Sequence, residues 1–329
     1  MLSFEKIIDR IRESNRIVIL SHVNPDGDAV GAGLGLFLTL NKLNEELKAA
    51  DEDYMEKVVR FVLEDNIPRN LRFLEGSEMI ERDQYVESKY DFDLAICVDA
   101  ATDERLGTTH RHLERSKFVI NIDHHTSNTM FGDINHVEDI SSSSEIIYKL
   151  INEMGIEITR EIGEALYTGL VNDTGNFAHS NVTPKTFAMA ADLMERGVDN
   201  SKIVREFFHN KNLPSLKLMG MALQEMVYNS EKKFTYFYLS SEALEGIQGL
   251  KEDAEGIVNL INSYNESEVS LFMREEKDGS IKGSMRSKHN VDVNKIAGMF
   301  GGGGHVKAAG FTAWDMTPEE VVEKVLNKL

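Results

Sequence analysis

The sequence has a single cysteine, no long apolar run and few basic residues for its acidic content. One cysteine excludes an internal disulfide, and the position of Cys97 inside an apolar run predicts a buried strand residue rather than a nucleophile. No apolar run approaches the roughly 20 residues that a membrane-spanning helix needs. The amphipathic, charged N-terminal segment also differs from a signal peptide, so we expect a cytoplasmic protein.

The shortage of basic residues limits the nucleic acids that the protein can bind. Against 55 acidic residues stand 36 basic ones, which gives a net charge of -19. Long duplexes are held mainly by neutralising their phosphates, and this chain would repel them. Any polyanionic substrate should therefore be small, and we expect neither long duplex nucleic acid nor a membrane as a partner. The sequence leaves open whether the protein is a monomer or a homodimer.

Short apolar runs alternate with helical patterns in the first half of the chain. Residues 16–20, 94–98 and 118–122 are continuous apolar runs, typical of parallel strands covered on both faces, and 28–43 has a helical pattern. Such alternation predicts an α/β fold with an open, mostly parallel sheet. Ligands of such sheets bind beyond the carboxyl ends of the strands, so polar residues at those ends are candidates for the functional site.

Local signals also mark several helices after the third strand. A capping box at 142–145 predicts a helix that ends at Gly155, and Thr183-Pro184 predicts another that ends at Gly197. An apolar stripe between 162 and 170 predicts a helix whose C-terminus carries Asp173. A carboxylate there opposes the helix dipole, a cost that a bound cation would offset.

The texture of the sequence changes near residue 229. A strand at 234–239, a helix at 253–264 and a hairpin of 269–274 with 280–286 predict a second, smaller α/β domain. With 329 residues and 41% apolar content, the chain can form two cores. We predict a metal-binding catalytic domain at 1–185, a helical connector at 186–228 and a substrate-binding domain at 229–329.

Aspartate and histidine residues stand where the predicted strands and helices end. The candidate metal ligands are His22, Asp26, Asp28, Asp99, His124 and Asp173. Carboxylates combined with imidazoles suit manganese, or magnesium with less preference, better than zinc. A carboxylate at the end of an apolar strand, as at Asp99, could bridge two ions about 4 Å apart. The sequence therefore predicts a site for two metal ions, although Asp99 alone would also fit a helix cap or a ribose-binding carboxylate.

The adjacent histidines of Asp123-His124-His125 cannot play the same role. Neighbouring side chains at a strand end point in opposite directions, so at most one of the two is expected to bind metal. The other should support a ligand or face the substrate. A core histidine satisfied by backbone groups is the structural alternative.

A second cluster combines glycines with polar residues near the C-terminus. The run 301–304 follows a predicted helix at 291–300, and it can bring backbone amides close to an anion. A hydroxyl, a guanidinium and an imidazole accompany the run, and together they predict a phosphate pocket, although a flexible turn would also explain the glycines. The candidate substrate-binding residues are Ser284, Arg286, Gly303, Gly304 and His305.

These segments resemble, in order, the motifs of the DHH phosphoesterase superfamily. The matching segments are 22–28, 98–101, 123–125 and 172–175, and 301–310 resembles the signature of a DHHA1-type C-terminal domain. The resemblance implies that His22, Asp26 and Asp99 hold one Mn²⁺, with Mg²⁺ or Co²⁺ as substitutes. It implies a second ion at Asp28, Asp99, His124 and Asp173, with His125 near the scissile phosphate. The glycine cluster would bind the nucleotide across a cleft between the domains.

The resemblance implies a hydrolase with Asp99, His124 and His125 as its catalytic residues. Size and domain pattern are similar to those of bacterial oligoribonucleases of this superfamily. The resemblance therefore implies short single-stranded RNA or small nucleotides as partners, and cleavage of short RNA, 3′-phosphoadenosine 5′-phosphate or linear dinucleotides such as pApA and pGpG. Asn176 and Ala178 differ from the arginines of some relatives, which puts the substrate in doubt more than the chemistry. The alternatives are a pyrophosphatase-like hydrolase and a non-catalytic nucleotide sensor. A dinucleotide-dependent oxidoreductase is excluded, because carboxylates replace the glycine fingerprint after the first strand.

Overall fold

The computed structural model describes residues 4–87 and 91–329, and it divides into two compact units, Met1–Asn210 and Lys211–Leu329. Residues 1–3 of the amphipathic N-terminal segment lie outside the described residues. In the described part of the chain, no helix is both long and apolar enough to cross a bilayer.

The first unit is built on a six-stranded sheet in which every strand pair is parallel. The strand order is β3-β2-β1-β4-β5-β6. The strands are β1 (Arg16–Leu20), β2 (Val58–Leu63), β3 (Glu81–Arg82), β4 (Leu94–Val98), β5 (Val119–Asp123) and β6 (Ile134–Val137). Chain order reverses between β1 and β4, so their carboxyl ends border the crevice where α/β sheets bind ligands.

The three strands predicted from continuous apolar runs are confirmed. β1 and β4 have the predicted bounds, and β5 begins one residue later than predicted. All five residues of β4 and β5 are buried, as expected for strands covered on both faces. The other three strands lie toward the edges of the sheet and are more exposed, so their sequences lack a continuous apolar run.

Helices cover both faces of this sheet. They are α1 (Glu5–Glu13), α2 (Gly27–Ala50), α3 (His110–Glu114), α4 (Ser143–Met154), α5 (Arg160–Asp173), α6 (Pro184–Glu195) and α7 (Asn200–Val204), which continues into a π-helical turn at Arg205–His209. The predicted helix ends are confirmed at Gly155 and Gly197, both left-handed, and Asp173 is the last residue of α5. The Ser142 hydroxyl caps α4 by accepting a hydrogen bond from the Glu145 N–H.

Helices α2 and α5 pack closely against each other. A Cβ added to Gly31 of α2 would lie 2.5 Å from the carbonyl oxygen of Ala165 in α5, closer than real Cβ atoms approach. The predicted helix at 28–43 is confirmed, but α2 is eight residues longer and is buried all round from Gly27 to Phe37. The close contact brings Asp28, in the first turn of α2, near the C-terminal half of α5.

The second unit contains a mixed sheet of order β11-β12-β10-β9-β8-β7, in which only β8 and β9 pair in parallel. The strands are β7 (Val227–Asn229), β8 (Phe234–Leu239), β9 (Val269–Glu275), β10 (Ile281–Ser287), β11 (Gly303–Gly304) and β12 (Ala308–Ala313). The helices are α8 (Leu213–Glu225), α9 (Ser241–Gly246), α10 (Ile257–Asn262), α11 (Val293–Gly298) and α12 (Pro318–Leu326). The predicted strand at 234–239 and the predicted hairpin are confirmed.

One prediction for the second unit needs correction. The helix expected at 253–264 is broken, because Gly256 is left-handed and separates a 3-10 turn at Lys251–Ala254 from α10. In the glycine run, Gly301 lies in a turn, and Gly303 and Gly304 form the edge strand β11 against β12. Core side chains of this unit pack on both faces of the mixed sheet. The predicted α/β class is confirmed for both units.

Candidate metal centre

The turn after β1 supplies the first three candidate ligands. His22 is buried, and its Nε2 atom lies 3.8 Å from Asp26 Oδ1. Asp26 is the N-cap of α2 and accepts hydrogen bonds from the backbone N–H groups of Asp28 and Ala29. Asp28 follows in the first turn of the helix and is fully buried. The cap therefore fixes the turn that presents all three side chains at the end of the sheet.

Asp99 is the central residue of the cluster. It follows β4, is 2% exposed and has a φ of 55°, a left-handed conformation that a non-glycine residue rarely adopts. Its Oδ2 atom lies 3.4 Å from Nε2 of His22, and its Oδ1 atom lies 3.5 Å from Nε2 of His124. The two oxygens of one carboxylate thus face two separate groups of ligand atoms, and strained backbone holds them there.

The second group of ligand atoms comes from three different elements. His124 follows β5, and its Nε2 atom lies 2.9 Å from Oδ2 of Asp173 at the end of α5. Ligand atoms of Asp28, His124 and Asp173 lie within 4.8 Å of one another, as do those of His22, Asp26 and Asp99. The structure therefore brings all six predicted metal ligands together in two groups, and Asp99, a member of the first group, also lies 3.5 Å from His124 of the second.

Backbone carbonyls orient both histidines. Nδ1 of His22 lies 2.9 Å from the Val23 oxygen, and Nδ1 of His124 lies 3.2 Å from the Ile140 oxygen. A proton on each Nδ1 would make these hydrogen bonds and leave the unprotonated Nε2 atom facing the carboxylates. This tautomer is the one that an imidazole needs to bind a cation through Nε2.

His125 has different neighbours from His124, as expected for adjacent residues. Its Nδ1 atom lies 2.7 Å from Oδ1 of Asp123 and 3.7 Å from Oδ1 of Asp99. Asp123 is fully buried and also accepts a 2.7 Å hydrogen bond from the Asn128 side chain. The Asp123 carboxylate thus orients the His125 ring at the edge of the cluster. A third group of ligand atoms, from Asp99, His124 and His125, is equally compact.

The sequence analysis missed the groups that support these ligands. Asp28 accepts hydrogen bonds from the backbone N–H groups of Ser143 and Ser144, at 2.6 and 2.9 Å, in the first turn of α4. The Ser143 hydroxyl donates to Asp99 Oδ1 at 3.0 Å. The capping box at 142–145 signalled the start of this helix, but nothing in the sequence showed which carboxylate its free N–H groups would bind.

The charges of the cluster raise the pKa values of both imidazoles and of one carboxylate. Burial lowers the pKa of His22, but the carboxylates of Asp99 and Asp26 outweigh it and raise that pKa to about 9. Burial lowers the pKa of His124 too, and Asp173, Asp99 and Asp28 raise it well above its usual value. Burial, with repulsion from Asp99 and Asp173, raises the pKa of Asp28. The cluster therefore favours bound positive charge, whether as protons on these groups or as cations.

The donor set fits divalent cations. Four aspartates converge on two imidazoles, and the fully buried Asp28 is held by backbone N–H groups rather than by a lysine or arginine in the described residues. Buried carboxylates need paired positive charge, which the ligand groups could receive from two metal ions. Oxygen and imidazole nitrogen ligands suit manganese, magnesium or cobalt better than zinc, which favours sites rich in sulfur.

The second candidate cluster lies at the β11 end of the mixed sheet. Ser284 of β10 pairs with Gly310 of β12, and Gly310 pairs with Gly303 of β11, so the three residues form one row across the sheet. Two residues farther along β10, Arg286 Nε donates to Asn259 Oδ1 at 2.9 Å. The structure thus brings Ser284, Arg286 and Gly303 to one region of the sheet.

The other two predicted substrate contacts lie beside this row. Gly304 follows Gly303 in β11 and pairs with Ala309, and His305 is exposed at the turn into β12. The backbone N–H of His305 donates to the Ala308 carbonyl at 2.7 Å. All five predicted residues therefore lie at the same end of the sheet.

Comparison with known proteins assigns both units. The N-terminal domain of the DHH family matches residues 16–170, and the DHHA1 domain matches 232–329. The bifunctional oligoribonuclease and PAP phosphatase NrnA of Thermus thermophilus is 34% identical over 94% of this chain and 88% of its own. NrnA of Bacillus subtilis is 30% identical over 94% of each chain. The chain belongs to the DHH family, and the predicted class, a phosphoesterase, is confirmed.

A solved structure agrees with this assignment. An exopolyphosphatase-related protein from Bacteroides fragilis superposes with a TM-score of 0.90 at 30% identity. The superposition covers 99% of this chain and 95% of that one. The match therefore extends over both units of this chain.

Proposed function

We propose that the protein is a two-metal phosphoesterase that cleaves short oligoribonucleotides to nucleoside monophosphates. Further proposed substrates are 3′-phosphoadenosine 5′-phosphate and linear dinucleotides such as pApA and pGpG. The observation that carries the proposal is the Asp99 carboxylate, whose two oxygens face two separate groups of ligand atoms. The two NrnA relatives are bifunctional oligoribonucleases and PAP phosphatases by name, which supports the same class of substrate.

Six residues would hold the metal ions in this proposal. His22, Asp26 and Asp99 form one site and Asp28, Asp99, His124 and Asp173 the other, with Mn²⁺ as the preferred ion and Mg²⁺ or Co²⁺ as substitutes. When bound, the two cations supply Lewis-acid activation of water and of the phosphate oxygens. The protein's part is to fix the ligands through Val23, Ile140 and the first turn of α4 before the substrate arrives.

His125 contacts the scissile phosphate in the proposed mechanism. Burial lowers its pKa, but the hydrogen bond to Asp123 and the charge of Asp99 outweigh this and raise the pKa. A protonated imidazole can donate a hydrogen bond to a phosphate oxygen and hold a proton near the leaving group. Asp123 keeps that ring in one orientation, as an aspartate does for a catalytic histidine in general.

The DHHA1 unit binds the nucleotide in this proposal. Arg286 offers a planar guanidinium that can form two parallel hydrogen bonds with a phosphate, and Ser284 adds a hydroxyl. Gly303 and Gly304 carry no side chain, so a ligand can approach the backbone of the edge strand closely. The net charge of -19 disfavours long nucleic acid, which restricts cleavage to short substrates.

A turnover panel with Mn²⁺ tests this function. It compares ribonucleotides from dimer to pentamer, a deoxydinucleotide, 3′-phosphoadenosine 5′-phosphate, pApA and pyrophosphate. We expect release of nucleoside monophosphates from the short ribonucleotides and none without a divalent cation. Pyrophosphate as the sole substrate would indicate a pyrophosphatase-like hydrolase instead. Binding of nucleotides without any product would indicate a sensor.

A further inference from the structure

Arg105 lies in the 3-10 segment Asp103–Thr109 that follows β4, and its backbone is held on both sides. Its N–H donates to the Thr102 carbonyl at 3.2 Å, and its carbonyl accepts from Val23 N–H at 2.8 Å. The next residue, Leu106, is fully buried. The backbone of Arg105 is therefore fixed against the turn that carries His22, while its side chain is exposed.

The guanidinium of Arg105 lies against His22 on the side away from the carboxylates. Its Nη2 atom is 3.3 Å from His22 Nδ1, which is also 2.9 Å from the Val23 oxygen. If His22 binds a cation through Nε2, its Nδ1 carries the proton and donates to Val23. His22 then offers the guanidinium no acceptor, because both groups are donors.

Arg105 also differs from the other arginines of the same segment. Arg111 pairs with Asp83 at 2.9 Å, and Arg115 pairs with Asp91 at 2.6 Å. Within residues 4–87 and 91–329, no ion pair joins Arg105 to a carboxylate. Although the chain has a net charge of -19, the guanidinium of Arg105 beside the candidate metal centre is thus available to bind an anion.

We propose that Arg105 binds a phosphate group of the substrate other than the one that is cleaved. This inference rests on the proposed phosphoesterase function. The cleaved phosphate must contact the cations, which the Nε2 side of His22 faces, whereas Arg105 lies on the Nδ1 side of the same ring. A guanidinium in that position reaches a neighbouring phosphate of the chain, which it can grip with two hydrogen bonds.

This role makes Arg105 a determinant of substrate choice. Nucleotides that carry a terminal phosphate besides the scissile one would gain a charged contact that a dinucleotide with two hydroxyl ends lacks. Lysine keeps the charge but loses the planar fork, so Arg105→Lys should retain only part of the preference. The fixed backbone favours binding, because little ordering of the segment is needed when the phosphate arrives.

The test measures kcat and KM with Mn²⁺ for three versions of one diribonucleotide: 5′-phosphorylated, 3′-phosphorylated and without terminal phosphate. The variants are Arg105→Ala and Arg105→Lys, with Arg160→Ala as control. Arg160 is an exposed arginine at the opposite end of α5 from Asp173. Equilibrium dialysis with Mn²⁺ alone reports whether each variant still binds the metal.

We expect the wild-type protein and the control to prefer one phosphorylated dinucleotide by about tenfold or more in kcat/KM. Arg105→Ala should abolish that preference through KM and still bind Mn²⁺ like the wild type. An unchanged preference in Arg105→Ala would overturn the inference, and so would an equal loss on all three substrates or weakened Mn²⁺ binding. A wild-type protein that cleaves no dinucleotide would refute the proposed function itself.

Discussion

The two candidate sites of this chain differ in how deeply their polar groups are buried. In the metal centre, Asp28 and Asp99 are 0% and 2% exposed, and neighbouring side chains and backbone groups hold the ligands. In the DHHA1 unit, Ser284 and Arg286 are half-buried, and Gly303, Gly304 and His305 are exposed. Buried charges are costly without partners, so we expect the first site to depend on bound cations. In the second site, a polar side chain can be removed without leaving a buried charge unpaired.

The largest expected effect follows from removing one charge at the centre of the buried site. Asp99→Asn keeps the shape of the side chain, and asparagine tolerates the left-handed backbone at this position. We expect turnover with saturating Mn²⁺ to fall by at least about 100-fold, because the bridging carboxylate is lost. Retention of more than about a tenth of the wild-type rate would contradict a bridging role.

Asp103→Asn is the matched control for this variant. Asp103 is a partly exposed aspartate that pairs with His110, and it lies outside the ligand groups. It should keep its turnover and bind as much Mn²⁺ as the wild type. Equilibrium dialysis should show that Asp99→Asn binds less.

A smaller loss is expected from the residue that orients His125. Asp123→Asn removes the carboxylate that lies 2.7 Å from Nδ1 of His125. In its place stands an amide, which has both a hydrogen-bond donor and an acceptor. Because the favoured tautomer and charge of His125 would change, we expect kcat to fall by about 10- to 100-fold. Mn²⁺ binding should stay at the wild-type level. A joint loss of metal and activity would show that Asp123 supports the metal ligands rather than His125.

A change in the DHHA1 unit sharpens the contrast between the sites. Arg286→Ala should raise KM for a dinucleotide by about tenfold, the loss of one charged hydrogen-bonding group, with a much smaller change in kcat. Metal binding should be unaffected. Lys295→Ala, which removes a largely exposed lysine of α11, is the control. If Arg286→Ala lowered kcat and left KM unchanged, the guanidinium would act on the reaction rather than on binding.

The smallest expected effect concerns stability in the absence of metal. The pKa of His22 is about 9 in the folded chain against 6.5 unfolded, so its stabilising contribution is complete below about pH 6.5 and is lost as the pH rises through about 9. Asp28 and Asp173 have raised pKa values, so their ionisation also destabilises the fold as the pH rises above the unfolded value of 3.8. We expect Tm of the metal-free protein to decrease as the pH rises from about 6.5 to about 9.

Added Mn²⁺ should reverse this trend. The cations replace the protons on His22 and His124 and neutralise the carboxylates, so Tm should rise more at about pH 8.5 than at about pH 6. Thermal unfolding followed by circular dichroism, with and without chelator, measures both effects. A metal-free protein that gains stability with increasing pH would show that these pKa directions are wrong.

The sequence predicted which residues cluster better than it predicted the groups that support them. Each candidate ligand follows a buried strand or lies at an end of a helix, so an apolar run or stripe beside an aspartate or histidine was enough to single it out. The hydrogen bonds from Ser143 and Ser144 to Asp28 join residues more than 110 positions apart, and no local pattern contains that information. The same holds for the left-handed backbone of Asp99, which only the packed structure imposes.

Edge elements were the other part that the sequence did not predict. Strands β3 and β11 have two residues each, too few for an alternating or continuous pattern. The glycine run showed no strand signal, because glycine is poor in β-propensity and the pairing of β11 depends on β12. Gly256 interrupted the predicted helix for a local reason, since its left-handed conformation ends the preceding turn.

The glycine contact between α2 and α5 sets the width of the metal centre. Asp28 and Asp173 belong to these two helices. Gly31 allows the helix backbones to approach so closely that an added methyl group would clash with the Ala165 carbonyl oxygen. An alanine at Gly31 would touch neither cation nor nucleotide, yet it would push the two carboxylates apart. The absence of a Cβ atom at Gly31, one helical turn from Asp28, thus controls the spacing of these two candidate ligands.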